Sequence, residues 1–426
     1  MTAHLRRQSA WVTRREFLTA CSAATGWATL ANHTSAVAAE PGQSTPPIAA
    51  LRTATGVDWD KVRRCFPLCA GLVYLNSGSL GPSPTHVIEA AFQAWRRLEE
   101  NPADEAYGPL LAEAEQVRTR AAAFLGCAPD ELAITQNTTE GLNAVAQGLD
   151  LRAGQRVLTT DQEHPGGLVG WQYLARKRGV VLDTVTLPQL SADPAEIVRA
   201  IECQLTRDTR VLSVSHVTFS TGLQLPIPAL ATLARANGTL LVVDGAQAPG
   251  QLAVDVKALG CDVYATSAHK WLLAPKGTGL LFIRREAREL IDPLPLAGGP
   301  GVYTAQTGTR NLPAIIGLGA AIEFHETLGT NEVAARVQHL RQRLVEAVGG
   351  LPRLKLISPP AGPLASGLVS VALPEGIRGD ALAETLRRKH HITVRVVSAG
   401  LRFSTHVCIS EPDIEKLTRA LRAELG

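Results

Sequence analysis

The chain has 426 residues, of which 45% are hydrophobic and 19% charged, with a formal net charge of +3. This length exceeds one ordinary hydrophobic core and fits two domains of ~150–200 residues, and the composition is typical of a globular protein. Arginines in the first forty residues supply most of the net charge, so the remainder is close to neutral. It lacks the basic excess of nucleic-acid-binding proteins, and we expect no nucleic-acid partner.

The seven cysteines are scattered, without a CxxC pair or a cluster with histidine. Because zinc sites require such spacing, we expect no bound metal. Cys65 and Cys69 are four residues apart, a spacing that is compatible with a disulfide and with two separate thiols. We favour two separate thiols.

The first forty residues have the pattern of an export signal. Two adjacent arginines, Arg14 and Arg15, precede a mildly apolar run that ends near Ala31, and small residues occupy positions 36–39. This resembles a twin-arginine signal peptide, which implies that residues 1–40 direct the folded protein through the twin-arginine translocase to the periplasm or the extracellular space. The apolar run is shorter than the ~20 residues of a spanning helix, so we expect no membrane anchor.

Residues 41–80 form a predicted linker and N-terminal segment, which we expect to pack on the C-terminal domain. The first part is rich in Pro, Ala and Thr, which is typical of a frayed terminus. A short helix is predicted at 59–66 and a strand at 73–76. The Ser/Gly-rich stretch 77–82 allows the backbone to approach a ligand closely, although an ordinary turn before the predicted helix at 84–100 explains it equally well.

An amphipathic helix is predicted at 107–125, ended by Gly126, and the polar segment 134–141 then leads into another helical run. Capping residues before a helix leave free backbone N–H groups at the positive end of the helix dipole. Those groups can bind a phosphate, and the hydroxyls of Thr138 and Thr139 can add hydrogen bonds. An ordinary capped helix has the same pattern.

Apolar strands and helical stretches alternate in the next part of the chain. Strands are predicted at 156–160 and 210–217, with helices at 168–178 and 194–205. This alternation is typical of an α/β domain with a mostly parallel sheet and helices on both faces. We place this large domain at 81–330.

Two predicted buried strands end close to charged side chains. One apolar run ends in Asp244, and another ends three residues before Lys270. Thr138 and His164 also follow strand ends, and ligands in parallel sheets bind beyond the carboxyl ends of the strands. A lysine and a carboxylate delivered together are what pyridoxal 5'-phosphate (PLP) requires, because the lysine forms a Schiff base and the carboxylate holds the pyridinium proton.

Over most of its length the chain resembles class V aminotransferase-type PLP enzymes of fold type I. Four motifs carry the resemblance, at 137–140 (NTTE), 161–164 (DQEH), 244–247 (DGAQ) and 267–271 (SAHKW). The resemblance implies an α/β fold with a large domain built on a seven-stranded, mostly parallel sheet and a small C-terminal α/β domain at 331–426.

The resemblance also implies roles for individual side chains. Lys270 corresponds to the Schiff-base lysine, which takes the α-proton after the substrate amine displaces it. Asp244 corresponds to the partner of the pyridine nitrogen, and His164 to the imidazole that stacks on the cofactor ring. Gln247 corresponds to the side chain that reaches the phenolic oxygen.

The implied phosphate site draws on two subunits. Thr139, Ser267 and His269 correspond to phosphate ligands, and Thr138 precedes Thr139 directly in the sequence. Thr309 corresponds to a threonine that contacts the phosphate bound by the other subunit. Such a shared site requires a homodimer.

The small domain is predicted to follow a long amphipathic helix at 331–348. Short strands are predicted at 354–357, 367–373 and 391–394, with a helix at 379–389. These elements are typical of a small α/β domain packed on the large one.

The substrate end has one close correspondence and one departure. Arg402 lies where the family has an arginine that grips the substrate α-carboxylate, and Arg395 is a second candidate. Cysteine desulfurases and selenocysteine lyases carry a histidine–cysteine loop between these positions, whereas here only 396–400 (VVSAG) lies between them. The persulfide-forming cysteine is absent from its usual place, and we interpret Cys408 as structural.

The short loop is similar to that of the isopenicillin-N-epimerase-like branch. The leading hypothesis is therefore a PLP enzyme that acts at Cα of an amino acid or related amine as an epimerase or racemase, although the sequence identifies no second acid–base group. A C–S lyase acting by β-elimination, a desulfurase-like activity and an aminotransferase remain open because they share the carbanion step. A PLP-fold protein without turnover is the remaining alternative, against which the intact lysine and carboxylate argue.

Overall fold

The N-terminal part of the described chain is a set of short elements. The computed structural model describes residues 45–426 except Gln189, Ala305 and Ala399, so the predicted export signal lies outside the described residues. A two-stranded hairpin precedes a short helix and a further strand: β1 (Arg52–Thr53), β2 (Gly56–Val57), α1 (Trp59–Arg64) and β3 (Val73–Tyr74). Asp58 caps α1, because its carboxylate accepts the Lys61 N–H at 3.0 Å.

Three helices follow: α2 (Thr85–Glu100), α3 (Pro102–Tyr107) and α4 (Pro109–Leu125). The sequence predicts one helix over 107–125, but the structure divides this region at Gly108, whose φ of −129° and ψ of −114° are not helical. Proline suits the first position of α4 because the N–H that it lacks has no helical partner there. As predicted, α4 ends at Gly126, which has a left-handed φ of 75°.

A seven-stranded sheet forms the centre of the large domain. Its strands are β4 (Leu132–Thr135), β5 (Arg156–Thr160), β6 (Val181–Val185), β7 (Thr209–Ser215), β8 (Leu240–Asp244), β9 (Val263–Ser267) and β10 (Gly279–Ile283). They lie in the order β4-β10-β9-β8-β7-β5-β6, and within this sheet β10 alone runs antiparallel to its neighbours. The predicted seven-stranded, mostly parallel sheet is confirmed.

Helices cover both faces of this sheet. They are α5 (Thr138–Gly148), α6 (Pro165–Arg178), α7 (Pro194–Glu202), α8 (Ile227–Asn237) and α9 (Val256–Leu259). Successive residues of a strand face opposite sides, and in β8 Leu241 and Val243 belong to one hydrophobic cluster whereas Val242 belongs to another. Burial on both faces explains why the strands are continuous apolar runs in the sequence.

The C-terminal region begins with two consecutive helices, α10 (Leu312–Leu328) and α11 (Thr330–Gly349). They are followed by β11 (Lys355–Leu356), β12 (Leu368–Ala372), α12 (Gly379–His390), β13 (Ile392–Thr393), β14 (Arg395–Val397), β15 (Gly400–Ser404) and α13 (Glu411–Leu425). Four of the strands form an antiparallel sheet in the order β11-β12-β15-β14. The predicted strand at 391–394 is present as β13, but it pairs in parallel with β3 rather than with this sheet. The predicted smaller C-terminal α/β domain is confirmed.

The N-terminal segment packs into the core of the small domain. Val62 of α1 and Val73 of β3 belong to the same buried cluster as Ile392 of β13 and Leu417 of α13. In the part of the chain that the structure describes, no helix is both long enough and apolar enough to cross a membrane.

Candidate active site

Several strands of the large sheet end at one edge, and side chains able to take part in chemistry follow them there. Asp244 and Ser267 are the last residues of β8 and β9, and Lys270 lies just beyond β9. Thr138 begins α5 shortly after β4, and His164 caps α6 after β5. The carboxyl ends of the parallel strands bring these residues together, as the sequence predicts.

These side chains line one cavity of about 520 Å³. Its volume lies in the range of small-molecule sites, ~300–1,000 Å³. The predicted site residues in its lining are Thr138, Thr139, His164, Asp244, Gln247, Ser267, His269, Lys270, Arg395 and Arg402. The lining also includes residues that the sequence does not predict as site residues, namely Gly78, Ser79, Asn137, Ser215, Val217, Phe219 and Ala246.

Two of these additional residues, Gly78 and Ser79, carried a signal in the sequence. They lie in the Ser/Gly-rich stretch 77–82, for which close approach to a ligand and an ordinary turn were both open. The structure places this stretch against the Lys270 turn, since the Gly81 N–H donates to the His269 carbonyl oxygen at 2.8 Å. A Cβ on Gly81 would overlap the Lys270 carbonyl oxygen, so this position requires glycine.

One end of the cavity lies at the start of α5. Ser267 Oγ accepts the Thr138 backbone N–H at 3.0 Å and lies 2.8 Å from Thr138 Oγ1. The Asn137 side chain caps the helix by accepting the Glu140 N–H at 2.9 Å. His269 also lines this cavity, and its Nδ1 lies 3.2 Å from the Thr278 carbonyl oxygen. Hydroxyls and a helix N-terminus favour a phosphate group here.

Asp244 and Lys270 are the oppositely charged pair of the cavity. Asp244 is 8% exposed, and its Oδ1 accepts the Ala246 N–H at 2.9 Å. Burial raises the pKa of Asp244, and the Lys270 ammonium opposes that rise. Burial lowers the pKa of Lys270 to about 8, an effect that Asp244 opposes and Arg402 reinforces. A lysine with this pKa is partly neutral near physiological pH and can accept a proton.

The His164 imidazole is held on two sides. Its Nδ1 accepts the Gly166 N–H at 3.0 Å, so in the neutral ring Nε2 carries the proton. The Phe219 ring packs edge-on against it, with centroids 5.0 Å apart and planes at 85°. Burial lowers the pKa of His164, and Lys270 acts in the same direction. The neutral imidazole is therefore favoured.

Gln247 joins two parts of the cavity wall. Its Nε2 donates to the Gly78 carbonyl oxygen at 2.9 Å, and its Oε1 accepts the Trp271 indole N–H at 2.8 Å. The family resemblance implies that Gln247 reaches a cofactor oxygen, and the second proton on Nε2 is the donor available for that contact.

Arg402 on β15 is a buried guanidinium, 2% exposed. Its Nη1 donates to the Phe219 carbonyl oxygen at 2.6 Å and its Nη2 to Ser79 Oγ at 3.0 Å, whereas its buried Nε has no hydrogen-bond partner among the described residues. Burial lowers the pKa of Arg402 to about 10, and the adjacent Arg395 contributes to the shift. Buried charges are normally paired, so this guanidinium is suited to an anionic ligand.

Thr309 is the one predicted site residue outside the cavity lining. It is exposed, in a loop that precedes α10. The neighbouring Arg310 fastens this loop to the large sheet, because its Nη2 donates to the Ile134 carbonyl oxygen at 2.7 Å. The structure does not bring Thr309 together with Thr138 and Ser267 of its own chain.

The described lining of the cavity contains no cysteine. Cys65 and Cys69 are free, the first buried and the second exposed. Cys408 is buried with its Sγ 3.9 Å from Ser77 Oγ, and burial raises the pKa of Cys408 to about 12. A thiol held protonated is a poor nucleophile, in keeping with a structural cysteine.

The residues present fit PLP. The start of α5 offers donors for its phosphate, Asp244 a carboxylate for its pyridine nitrogen, and Lys270 an amine for its aldehyde. Two glycines at the start of α6, Gly166 and Gly167, leave space beside Thr139 and Asp244 that a side chain would fill. A Cβ on Gly167 would lie 3.2 Å from Asp244 Oδ2, and one on Gly166 would overlap Thr139 Oγ1.

Fold and site together define a PLP-dependent enzyme of fold type I. Residues 73–421 match the family model described as Aminotransferase class-V, a family that uses PLP. The chain belongs to the class V aminotransferase family.

Relatives within the family catalyse different reactions. The isopenicillin N epimerase of Streptomyces clavuligerus is 33% identical over an alignment of 393 residues, with coverage of 87% of this chain and 99% of the epimerase. A cysteine desulfurase of Escherichia coli O127:H6 is 32% identical over an alignment of 330 residues, with coverage of 71% of this chain and 80% of the desulfurase. Epimerase and desulfurase chemistry are thus both represented among the relatives.

Solved structures of C-DES have the same fold. The complex of this cystine C–S lyase with its product cysteine persulfide has a TM-score of 0.76 at 28% identity, covering 85% of this chain and 100% of C-DES. A C-DES mutant with glycine covalently linked to the PLP cofactor has a TM-score of 0.77 at 27% identity, with coverages of 85% and 99%.

Proposed function

We propose that the protein is an epimerase or racemase that moves a proton at Cα of an amino acid or related amine. One observation carries this proposal. Lys270, Asp244 and Arg402 line a single cavity whose described lining contains no cysteine. Lys270 can move a proton and Arg402 can hold a carboxylate, but no described lining residue can form a persulfide.

The proton transfer is the task of Lys270. PLP, when bound, takes up the electron pair that remains at Cα after the proton leaves. Thr138, Thr139, Ser267 and His269 would hold its phosphate, and Asp244 its pyridine nitrogen. Lys270 Nζ accepts the Cα proton only as a neutral amine, a form that burial favours.

Arg402 positions the substrate. Two contacts, to the Phe219 carbonyl oxygen and to Ser79 Oγ, fix the plane of its guanidinium. Three of its five N–H donors remain available for a carboxylate. Holding the α-carboxylate in this way sets the position of Cα in the cavity.

Epimerisation also requires a second acid–base group at Cα. His164 lines the same cavity as Lys270, but its Nδ1 accepts the Gly166 N–H and its Nε2 carries the one proton of the neutral ring. A neutral imidazole does not give up that proton near neutral pH, so we do not assign the second role to His164.

Incubation of the holoenzyme with single amino acids in heavy water tests this function. The expected result is deuterium at Cα with loss of chirality, measured by NMR and chiral chromatography. Formation of pyruvate with sulfide or ammonia would overturn the proposal in favour of elimination. A stoichiometric keto acid would overturn it in favour of transamination.

A C–S lyase is the second candidate, and the similarity to C-DES across almost the whole of that protein favours it. Lys270 would remove the same proton and Arg402 would hold the same carboxylate. The two functions differ in the fate of the substrate, so the products of the heavy-water experiment decide between them.

We also propose that the active protein is a homodimer with a shared site. Thr309 is exposed and lies outside the cavity of its own chain, and Phe92 and Trp95 on α2 are 66% and 51% exposed beside an apolar groove. Light scattering is expected to give a dimer, and Thr309→Ala is expected to weaken PLP binding. The arrangement would be contradicted if the protein were a monomer and if Thr309→Ala bound PLP with the same affinity as the unmodified protein.

Export by the twin-arginine route is a further proposal, supported by Arg14 and Arg15 in the sequence, outside the described residues. Cell fractionation of the full chain should recover the protein outside the cytoplasm. Replacing both arginines with lysine should retain it in the cytoplasm. Export would be refuted if the unmodified full-length protein were found only in the cytoplasm.

A further inference from the structure

Two arginines stand directly opposite each other at the substrate end of the cavity. Arg395 on β14 and Arg402 on β15 are Cα partners in an antiparallel pair, and both line the cavity. Directly opposite residues project from the same face with Cβ atoms ~4.5–5.5 Å apart, and like charges in this arrangement destabilise a sheet. Arg395 is exposed at the rim of the cavity and Arg402 is buried, so solvent weakens this repulsion and an anion between the two guanidinium groups would turn it into attraction.

The charges of the cavity lining leave room for two anions. Lys270, Arg395 and Arg402 are cationic, and Asp244 is the acidic residue of the described lining. Asp244 offsets one cation, and the start of α5, where the phosphate would lie, is a separate part of the cavity. The positive charges of the two guanidinium groups are then not offset by any acidic residue of the described lining. An amino acid with a neutral side chain brings a single carboxylate, which can offset one of them.

The hairpin fixes the two arginines in register. β14 ends at Val397 and β15 begins at Gly400, so the connection is short. Gly400 has a φ of 153°, and a Cβ there would collide with the Val371 carbonyl oxygen. A tight connection pins the register of an antiparallel pair, and it keeps Arg395 opposite Arg402.

We propose that the substrate carries a second carboxylate on its side chain, which Arg395 binds while Arg402 binds the α-carboxylate. The inference rests on the proposed function and deepens it, because it names the substrate class as a dicarboxylic amino acid. Val217 and Phe219 also line the cavity and offer apolar surface to methylene groups between the two carboxylates.

Binding of unreactive acids to the holoenzyme tests this inference without turnover. Glutarate and adipate are the dicarboxylates, and pentanoate and hexanoate are monocarboxylates of matched length. By titration calorimetry, each dicarboxylate is expected to bind about tenfold more tightly than its match, because it makes a second charge-assisted contact. Equal affinities in the unmodified protein would overturn the proposal.

Variants assign the effect to one side chain. Arg395→Ala is expected to reduce the preference for each dicarboxylate over its matched monocarboxylate to about twofold or less. Arg388→Ala, which removes an exposed arginine paired with Glu384 on α12, is the matched control and should keep the preference. A preference that persists in Arg395→Ala would refute the assignment.

The proposed function is checked separately on the same samples. Cofactor absorbance and borohydride labelling at Lys270 report the PLP site whichever acids bind. Loss of labelling in the unmodified holoenzyme would refute the proposed function. Intact labelling without a dicarboxylate preference would refute only the substrate class.

Discussion

The two ends of the cavity are assembled in different ways. At the cofactor end, each side chain lies at or just beyond the end of a strand of one sheet, and contacts such as Asp244 to the Ala246 N–H hold it locally. At the substrate end, Arg402 comes from the second sheet and is held by Ser79, 323 residues away in the sequence. The position of a residue at the end of a strand in a parallel sheet depends on the sequence close to that residue. The guanidinium position, in contrast, depends on how the N-terminal segment and two sheets pack.

The difference implies that the two ends are separable by mutation. Changes at the cofactor end should alter PLP binding and every reaction that depends on it. Changes at the substrate end should leave the cofactor bound and alter the affinity for the substrate. The following substitutions test this separation, from the largest expected effect to the smallest.

Lys270→Ala should have the largest effect, lowering kcat by about 10⁴-fold because the proton acceptor is removed. Borohydride should no longer attach PLP to the protein. Lys276→Ala is the matched control, since Lys276 is an exposed lysine near the site whose Nζ donates to the Gly81 carbonyl oxygen at 2.7 Å. Labelling that survives in Lys270→Ala would show that another lysine holds the cofactor.

Arg402→Ala should raise KM for an amino-acid substrate about a hundredfold, within the ~2–5 kcal/mol cost of removing one partner of a buried charge pair. The PLP absorbance spectrum should remain that of the unmodified protein. Ser79→Ala removes one of the two contacts that orient Arg402 and should raise KM about fivefold, as expected for one hydrogen bond of ~1 kcal/mol. Equal losses of PLP affinity and substrate affinity in Arg402→Ala would show that the two ends are not separable.

Glu163 lies behind the cofactor end. Its carboxylate accepts the Thr160 hydroxyl at 2.6 Å, the Ser215 N–H at 3.1 Å and the Ser215 hydroxyl at 2.5 Å. Burial nevertheless raises the pKa of Glu163 to about 7, and the charge of Asp244 adds to the rise. Ser215 lines the cavity and is the Cα partner of Asp244, so this carboxyl supports the cavity wall.

Glu163→Gln should change how stability depends on pH. A carboxyl whose pKa is higher in the folded state contributes stability below its unfolded pKa, and this contribution is lost as pH rises through the folded pKa. The unfolding free energy of the unmodified protein relative to Glu163→Gln should therefore fall by ~2–3 kcal/mol between about pH 4.5 and pH 7. Denaturant unfolding across this range measures it, and a constant difference would contradict the assignment.

The sequence predicts one end of the cavity better than the other. Asp244, Ser267 and Lys270 follow apolar runs whose length and composition indicate buried strands, so their meeting at one sheet edge is predictable. The hydrogen bond between Arg402 and Ser79 is not predictable, because no pattern in the sequence near either residue indicates that two segments so distant in the chain will meet.

The fold also contains some features that local sequence patterns predict and others that they do not. The strand at 156–160 has the predicted bounds, since Gly154 and Gln155 precede it and Asp161 and Gln162 follow it. The pairing of β3 with β13 joins two-residue strands whose partners no pattern specifies. The division of 107–125 into two helices depends on Gly108 and Pro109, a breaking pair that apolar periodicity alone does not take into account.

Cys408→Ala should have the smallest effect, and it separates the candidate reactions at the substrate end. The thiol is buried beside Ser77 and outside the cavity lining, so kcat and KM should stay within about twofold of their original values. Removing the buried sulfur should cost ~1 kcal/mol of unfolding free energy. Cys69→Ala, at an exposed position, is the matched control and should leave both stability and activity unchanged. A loss of activity confined to Cys408→Ala would place a nucleophilic thiol in the reaction and favour desulfurase chemistry over proton transfer at Cα.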